Sequence, residues 1–214
     1  MHLTLEQWQQ TLKPRSELLY NCSEYQFLND QWVTFPVGMG YSFLSYAENL
    51  AKAQIGNHEH LVLCAISDHT DSRRRPSGIN RRAILSTLSH NGIPNHKFCS
   101  GDYFRCLPQY KFVISPEGNG IDCHRHYEAL MAGCIPIVEE HEGIREKYRG
   151  CPILFTKDYS EITHAYLEEQ YKSFLTQEWD FSRLLFSSYD ENTKKEICDN
   201  GNYWCSRLLG RKWY

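Results

Sequence analysis

The chain has 214 residues, 41% hydrophobic and 23% charged, with room for one sizeable core and the make-up of an ordinary globule. Its formal net charge of −3 excludes a global basic field that would recruit nucleic acid or anionic lipid. No apolar run approaches the ~18 residues of a membrane-spanning helix.

Residues 1–56 carry weak signals. LEQWQQTL reads as a short helix, QWVTFPV as a strand, GMG (38–40) as a turn and GYSFLSYAENLAKAQIG as a helix closed by Gly56. From residue 61 the rhythm is regular. LVLCAIS (61–67) is a buried strand by length and apolarity, followed by the polar loop DHTDSRRRPSG. INRRAILSTLSHNG (79–92) is a helix with Ile84, Leu85 and Leu88 as its stripe, Ser77 as cap and Gly92 as stop. HKFCSG (96–101) is a short strand and FRCLPQY (104–110) a linker. KFVIS (111–115) is the second clear strand. A helix over about 122–132, with Asp122 as N-cap and Gly133 at its end, leads to the strand CIPIV (134–138). GIREKYRG (143–150) is a short helix or turn, PILF (152–155) a fourth strand. SEITHAYLEEQYKSFL and much of the tail read as helix.

Alternating strands and helices predict an α/β, Rossmann-like open parallel sheet with helices on both faces, spanning 57–214 and preceded by a short segment, 1–56. Ligands of such sheets sit outside the carboxyl ends of the strands. The loops 67–78, 116–122 and 139–143 leave strands there, and all are polar. Nine cysteines, an odd number with no CxxC pair, lie partly in apolar runs such as those of Cys64 and Cys134. With no leader-like start, this reads as reduced thiols in a cytoplasmic protein.

The loop Glu117-Gly118-Asn119-Gly120 precedes a helix, whose first N–H groups favour an anion. Cys123 breaks the dinucleotide fingerprint and no P-loop is present. A plain turn with Asp122 as cap is the competing reading. Arg125 and Glu128 share a helix face with His124; Arg125 would face an anion and Glu128 a ribose diol, against the alternative of a surface ion pair. Arg81 and Arg82 open a helix at a strand end, where a guanidinium clamps a diphosphate. Of Arg73–Arg75, at least two read as solvated. His69, beside Asp68 at a strand end, is a candidate acid or base. The acidic run 139–142 touches a sugar or caps the next helix. His58-x-His60 and His124-x-His126 lack partners at zinc-like spacing, so no metal is expected.

Taken together, KFVISPEGNGIDCHRHYEALMAGCIPIV (111–138) resembles the donor-binding half of exostosin-like glycosyltransferases. The order LVLCAIS, Arg81 or Arg82, Tyr110-Lys111-Phe112 and the glycine loop is more distantly similar to α1,3-fucosyltransferases. The resemblance covers roughly residues 60–170. It implies the C-terminal half of a GT-B fold and transfer of a sugar from a UDP- or GDP-linked donor to a glycan or other hydroxyl acceptor, with no metal and no cofactor. Glu128 would then hold the ribose, and Arg125 with Arg81 or Arg82 the diphosphate. Lys111, Glu117, Gly118, Asn119 and Gly120 would complete the donor site; Asp122 and His69 are the catalytic candidates. The acceptor half exceeds what residues 1–56 can form, so a homodimer partner or a further domain would supply it. The alternatives are a nucleotide-sugar-binding module without transfer, one domain of a larger glycosyltransferase, or a different α/β enzyme using His69 or His124 as acid or base.

Overall fold

The computed structural model describes residues 58–72 and 74–195 continuously, with 19–21, 32–34, 38, 40, 43, 46, 55 and 198 in addition. The helices expected over 5–12 and most of 40–56 lie outside the described residues. Strands β1 (Leu19–Asn21) and β2 (Trp32–Thr34) pair in parallel, and β2 falls within QWVTFPV.

The main sheet contains β3 (His60–Leu63), β4 (Tyr110–Ile114), β5 (Ile135–Glu139) and β6 (Leu154–Thr156), all parallel and adjacent in chain order. Registers are set at Val62↔Phe112, Phe112↔Ile135 and Ile137↔Leu154. Among the described residues, the helices that follow the strands include α1 (Arg81–His90), α2 (Ser100–Cys106), α3 (His124–Met131), α4 (Glu142–Lys147) and α5 (His164–Leu175). The connection from β3 to β4 supplies a helix to each face, α1 to one and α2 to the other. Leu63, Val113 and Val138 pack toward α2, α3 and α4, against Phe104, Ala129, Leu130 and Ile144. Phe112, Ile114, Ile135 and Ile137 point the other way, onto Ile84 and Leu88 of α1 and Leu167, Tyr171 and Phe174 of α5. This is the two-faced α/β layering that the alternating pattern predicts.

Local chemistry moves several boundaries. β3 ends at Leu63 rather than Ser67, because the Asn95 amide takes over the strand edge. Its Oδ1 accepts from Ile66 N at 2.9 Å and its Nδ2 donates to Ile66 O at 3.0 Å. Residues 96–101 are not a strand: 93–99 are irregular, with His96 N donating to Cys64 O at 2.8 Å. The expected linker 104–110 instead holds the end of α2, a 3-10 turn over Leu107–Gln109 and the first residue of β4; the N-cap of α2 is Cys99, with Sγ accepting from Asp102 N at 3.4 Å. Asn80, not Ser77, caps α1, taking the Ala83 N–H at 3.0 Å. Gly92 and Gly133, at φ +78°, stop α1 and α3 in the left-handed conformation that glycine adopts without cost.

Candidate functional site

The carboxyl ends of β3, β4 and β5 are joined by buried charge. Arg81 at the start of α1 is 3% exposed, and its guanidinium donates to carbonyl oxygens: Nε to Glu117 O at 2.8 Å, Nη2 to Pro116 O at 3.1 Å and Nη1 to Ser67 O at 3.3 Å. It thereby ties the end of β3 to the loop after β4. Burial, with the neighbouring Arg125 charge, holds Arg81 below its usual value. Gly118 lies against this guanidinium; a Cβ there would stand 3.2 Å from Arg81 Nη2 and 3.4 Å from Thr70 Cγ2. That close approach is the reason for the first loop glycine.

Beneath the loop lies a second layer. Arg75 Nη1 donates to Glu139 Oε1 at 2.8 Å and its Nη2 stands 2.9 Å from Asp71 Oδ2. Glu139 Oε2 accepts from Glu117 N and from the Tyr159 hydroxyl, both at 3.0 Å. Arg74 is paired with the Glu117 carboxylate. The expectation of a solvated Arg73–Arg75 segment is therefore corrected. The Arg74 and Arg75 side chains are only 20% and 14% exposed, because Glu117, Asp71 and Glu139 gather around them. In the acidic run, Glu139 is a buried anchor and His141 caps α4, its Nδ1 accepting from Gly143 N at 3.0 Å.

Above this base opens a cavity of about 430 Å3, lined by Ser67, Thr70, Arg81, the Gly118–Gly120 loop, and Asp122 through Arg125 with Glu128. Ser67, Arg125 and Glu128 also line an adjoining cavity of about 540 Å3 that runs to His96, Phe98 and Phe104. The two form one cleft across the ends of β3 and β4. The first turn of α3, at Cys123, His124 and Arg125, borders it with the positive end of the helix dipole. Arg125 Nη2 donates to Ala65 O at 3.1 Å and Nε to the Tyr103 hydroxyl at 3.3 Å, with the guanidinium 5.6 Å from the Tyr103 ring centroid. A guanidinium has five N–H bonds, so both Arg81 and Arg125 keep donors for an anion. Glu128 is 5% exposed; its Oε1 accepts from Gly40 N at 2.9 Å, and burial pushes its carboxyl above the usual range.

The structure thus brings Arg81, Gly118, Asn119, Gly120, Asp122, Arg125 and Glu128 to one cavity. Asn119 is exposed at its rim. Asp122 lies at its floor, where Oδ1 accepts from the Tyr148 hydroxyl at 2.7 Å and Oδ2 is 3.6 Å from Lys147 Nζ. Glu117 stands behind the loop, facing Arg74. Other predicted residues lie outside the lining. The Arg82 side chain is 74% exposed, 3.9 Å from Asp68. His69 is exposed, with Nδ1 3.0 Å from both Asp68 Oδ1 and Ser67 Oγ. Lys111 sits near the start of β4, 3.3 Å from Glu168 and 4.9 Å above the Tyr171 ring. Both ring nitrogens of His58 bond carbonyls, of Pro108 at 2.6 Å and Gly133 at 2.7 Å. Among the described residues, no group of three or more His, Cys, Asp or Glu side chains is placed to hold a metal ion.

Sequence reasoning overlooked Gly40, Tyr103, Asp71 and the pair Cys123–His126. Cys123, rather than Asp122, occupies the α3 N-cap position. Its Sγ is 3.5 Å from His126 Nδ1. The Cys-x-x-His spacing was the available signal, since it places both groups on one turn. A larger cavity, about 880 Å3, lies between α4, the start of β6 and Gln177–Trp179, and holds none of the predicted site residues. Among the described residues, no helix is long and apolar enough to cross a membrane. Comparison with known protein families finds no match, and comparison with curated proteins finds none either.

Proposed function

We propose that the protein is a glycosyltransferase that takes a sugar from a nucleoside diphosphate donor to a hydroxyl acceptor. The observation that carries this reading is the meeting of Arg81, Arg125, the Gly118–Gly120 loop and Glu128 around one cavity at the strand ends. The diphosphate would lie against the loop amides, the α3 N-terminus and the two guanidiniums. These fixed donors hold the negative charge that develops as the sugar leaves, without reorganising at that moment. Glu128 would accept from the ribose hydroxyls, and the adjoining cavity with His96 and Phe98 would receive the base. This reading needs no metal.

A second reading, donor binding without transfer, is favoured by one observation: Asp122 and Glu128 in the cavity are both engaged, Asp122 by Tyr148 and Lys147 and Glu128 by Gly40. A base for the acceptor would then have to come from another chain or domain. Calorimetric titration with UDP, GDP and their sugars separates these readings from a mere turn. Binding is expected, with at least a tenfold loss in Arg125→Ala. Release of free nucleoside diphosphate in the presence of an acceptor panel marks transfer. If no nucleotide binds at millimolar concentration, both readings fail.

A further inference from the structure

We propose that Cys123 and His126 form a nucleophile–base pair that exchanges with low-molecular-weight disulfides, and that the resulting mixed disulfide occupies the cavity and blocks it. The base is oriented by the backbone. His126 is fully buried, and its Nε2 is 3.2 Å from Ile121 O, which can only accept. Nε2 therefore carries a proton, and Nδ1 is the basic nitrogen. That nitrogen lies 3.5 Å from Cys123 Sγ and 2.6 Å from Ser115 Oγ. Nucleophile, base and orienting group thus stand in the order that activates a thiol. The thiol also sits at the N-cap position of an eight-residue helix, where the field favours a thiolate. Cys123 is partly exposed and lines the 430 Å3 cavity, so a small disulfide reaches it from the ligand side.

Cys64, Cys99, Cys134 and Cys151 make different contacts. Cys64 donates to the Asn95 amide oxygen, Cys134 to Leu107 O and Cys151 to Asp180 O. Burial pushes Cys64 and Cys151 up to about 12. Exposed Cys99 donates to Asp102, a carboxylate that opposes a second negative charge. At Cys123 burial opposes ionisation most, but His126 and Arg125 together outweigh it and the thiol is held down to about 7. Arg125 and Arg81 add positive charge. Asp122, beside Lys147, is the opposing anion; Tyr148 and Tyr159 are phenols held well above their usual range.

The step balances without another reactant. The Cys123 proton passes to His126 Nδ1. Sγ attacks one sulfur of the disulfide, a protein–small-molecule S–S bond forms, and the original S–S bond breaks. The leaving thiolate takes the electron pair and recovers the proton from Nδ1. The protein thiol is oxidised and half of the small disulfide is reduced; excess thiol reverses the exchange. The blocked space is that assigned above to the donor diphosphate, so the regulatory consequence rests on the proposed function, while the exchange chemistry does not.

The test uses the reduced full chain with oxidised glutathione and, separately, iodoacetamide, with each cysteine followed by peptide mass mapping. Cys123 is expected to react first, ahead of the more exposed Cys99. Its alkylation rate should rise with a midpoint near pH 7, against ~8.5 for an ordinary thiol. His126→Asn should move that midpoint up. At pH 7 this slows Cys123 by about threefold, because the smaller thiolate fraction is partly offset by greater intrinsic nucleophilicity. Ser115→Ala removes the competing hydroxyl and should leave the midpoint low. Reaction of Cys123 behind Cys99, or a midpoint at the ordinary value in the unsubstituted protein, overturns the proposal. Nucleotide binding lost on glutathionylation and restored by thiol supports the blocking role. Rapid exchange in a protein that binds no nucleotide in either state supports the exchange and sinks the donor reading.

Discussion

Replacing Arg75 with Met tests whether the loop is held by charge from below. Among the described residues, Arg75 is the cation that Asp71 and Glu139 share, and their side chains are 1% and 8% exposed. Burial opposes its charge, yet the Glu139, Glu117 and Asp71 carboxylates together outweigh burial and hold the guanidinium above its usual range. Met fills similar volume but leaves two buried carboxylates uncompensated, a loss of ~3–5 kcal/mol. Glu139 retains the Tyr159 hydroxyl and the Glu117 N–H, and Asp71 retains the Arg81 N–H at 2.9 Å. The lower end, about 3 kcal/mol, is therefore expected, or a fall in Tm of roughly 6–12 °C for a chain of this size. Urea unfolding at neutral pH, with the slope compared between variants, measures it. Adding Glu139→Gln to Arg75→Met removes one stranded charge and should recover about 1 kcal/mol or more, the non-additivity expected of groups in one network. A loss below about 1 kcal/mol in the single variant, or no recovery in the double, would show that the layer is solvated and refute the reasoning.

Two further outcomes bear on the site and the frame. Glu128→Gln should raise the urea midpoint of the ligand-free protein at neutral pH while weakening nucleotide binding. Burial raises the folded carboxyl above its unfolded value of ~4.3, so its stabilising contribution is present below that value and lost as pH rises through the folded one. The gain should vanish in acid, and a destabilised Glu128→Gln at neutral pH would contradict it. Gly150→Ala should cost about 2–4 kcal/mol by the same assay. Gly150 has φ +88°, and a Cβ would meet Asp180 Cβ at 3.0 Å and Asp180 O at 3.2 Å, so left-handed strain and overpacking add. An unchanged midpoint would show that the 150–180 contact yields freely.

The parts of this fold legible in sequence are those decided by local pattern. KFVIS and CIPIV are apolar beyond what a half-exposed segment tolerates, and β4 and β5 lie beneath helices on both faces. Gly92 and Gly133 mark true helix ends. The misses came from partners distant in sequence or from atypical caps. No local feature of LVLCAIS announces that Asn95 will replace its last strand partners. Nor does RRR reveal Glu139, 64 positions away, as the partner of Arg75. Cysteine is a poor advertisement for an N-cap, yet both α2 and α3 begin with one. At the site, the glycine loop, Arg125 and Glu128 were legible because spacing on a loop and one helix face is local. Arg81, expected with Arg82 at a strand end, lines the cavity, and its three carbonyl contacts depend on the sheet bringing β3 beside β4.

Under the proposed function, the hydrogen bond from Gly40 to Glu128 would make Gly40 a competitor for the donor. A Cβ at Gly40 would stand 3.0 Å from the same carboxylate oxygen, so the backbone approaches as closely as a ligand hydroxyl would. His124, one turn away, holds Gly38 O at 2.8 Å. A hydroxyl that took Glu128 Oε1 from Gly40 would weaken the Gly40 contact, and whatever tightened that contact would weaken the ligand by the same factor, because coupling between two binding events is reciprocal.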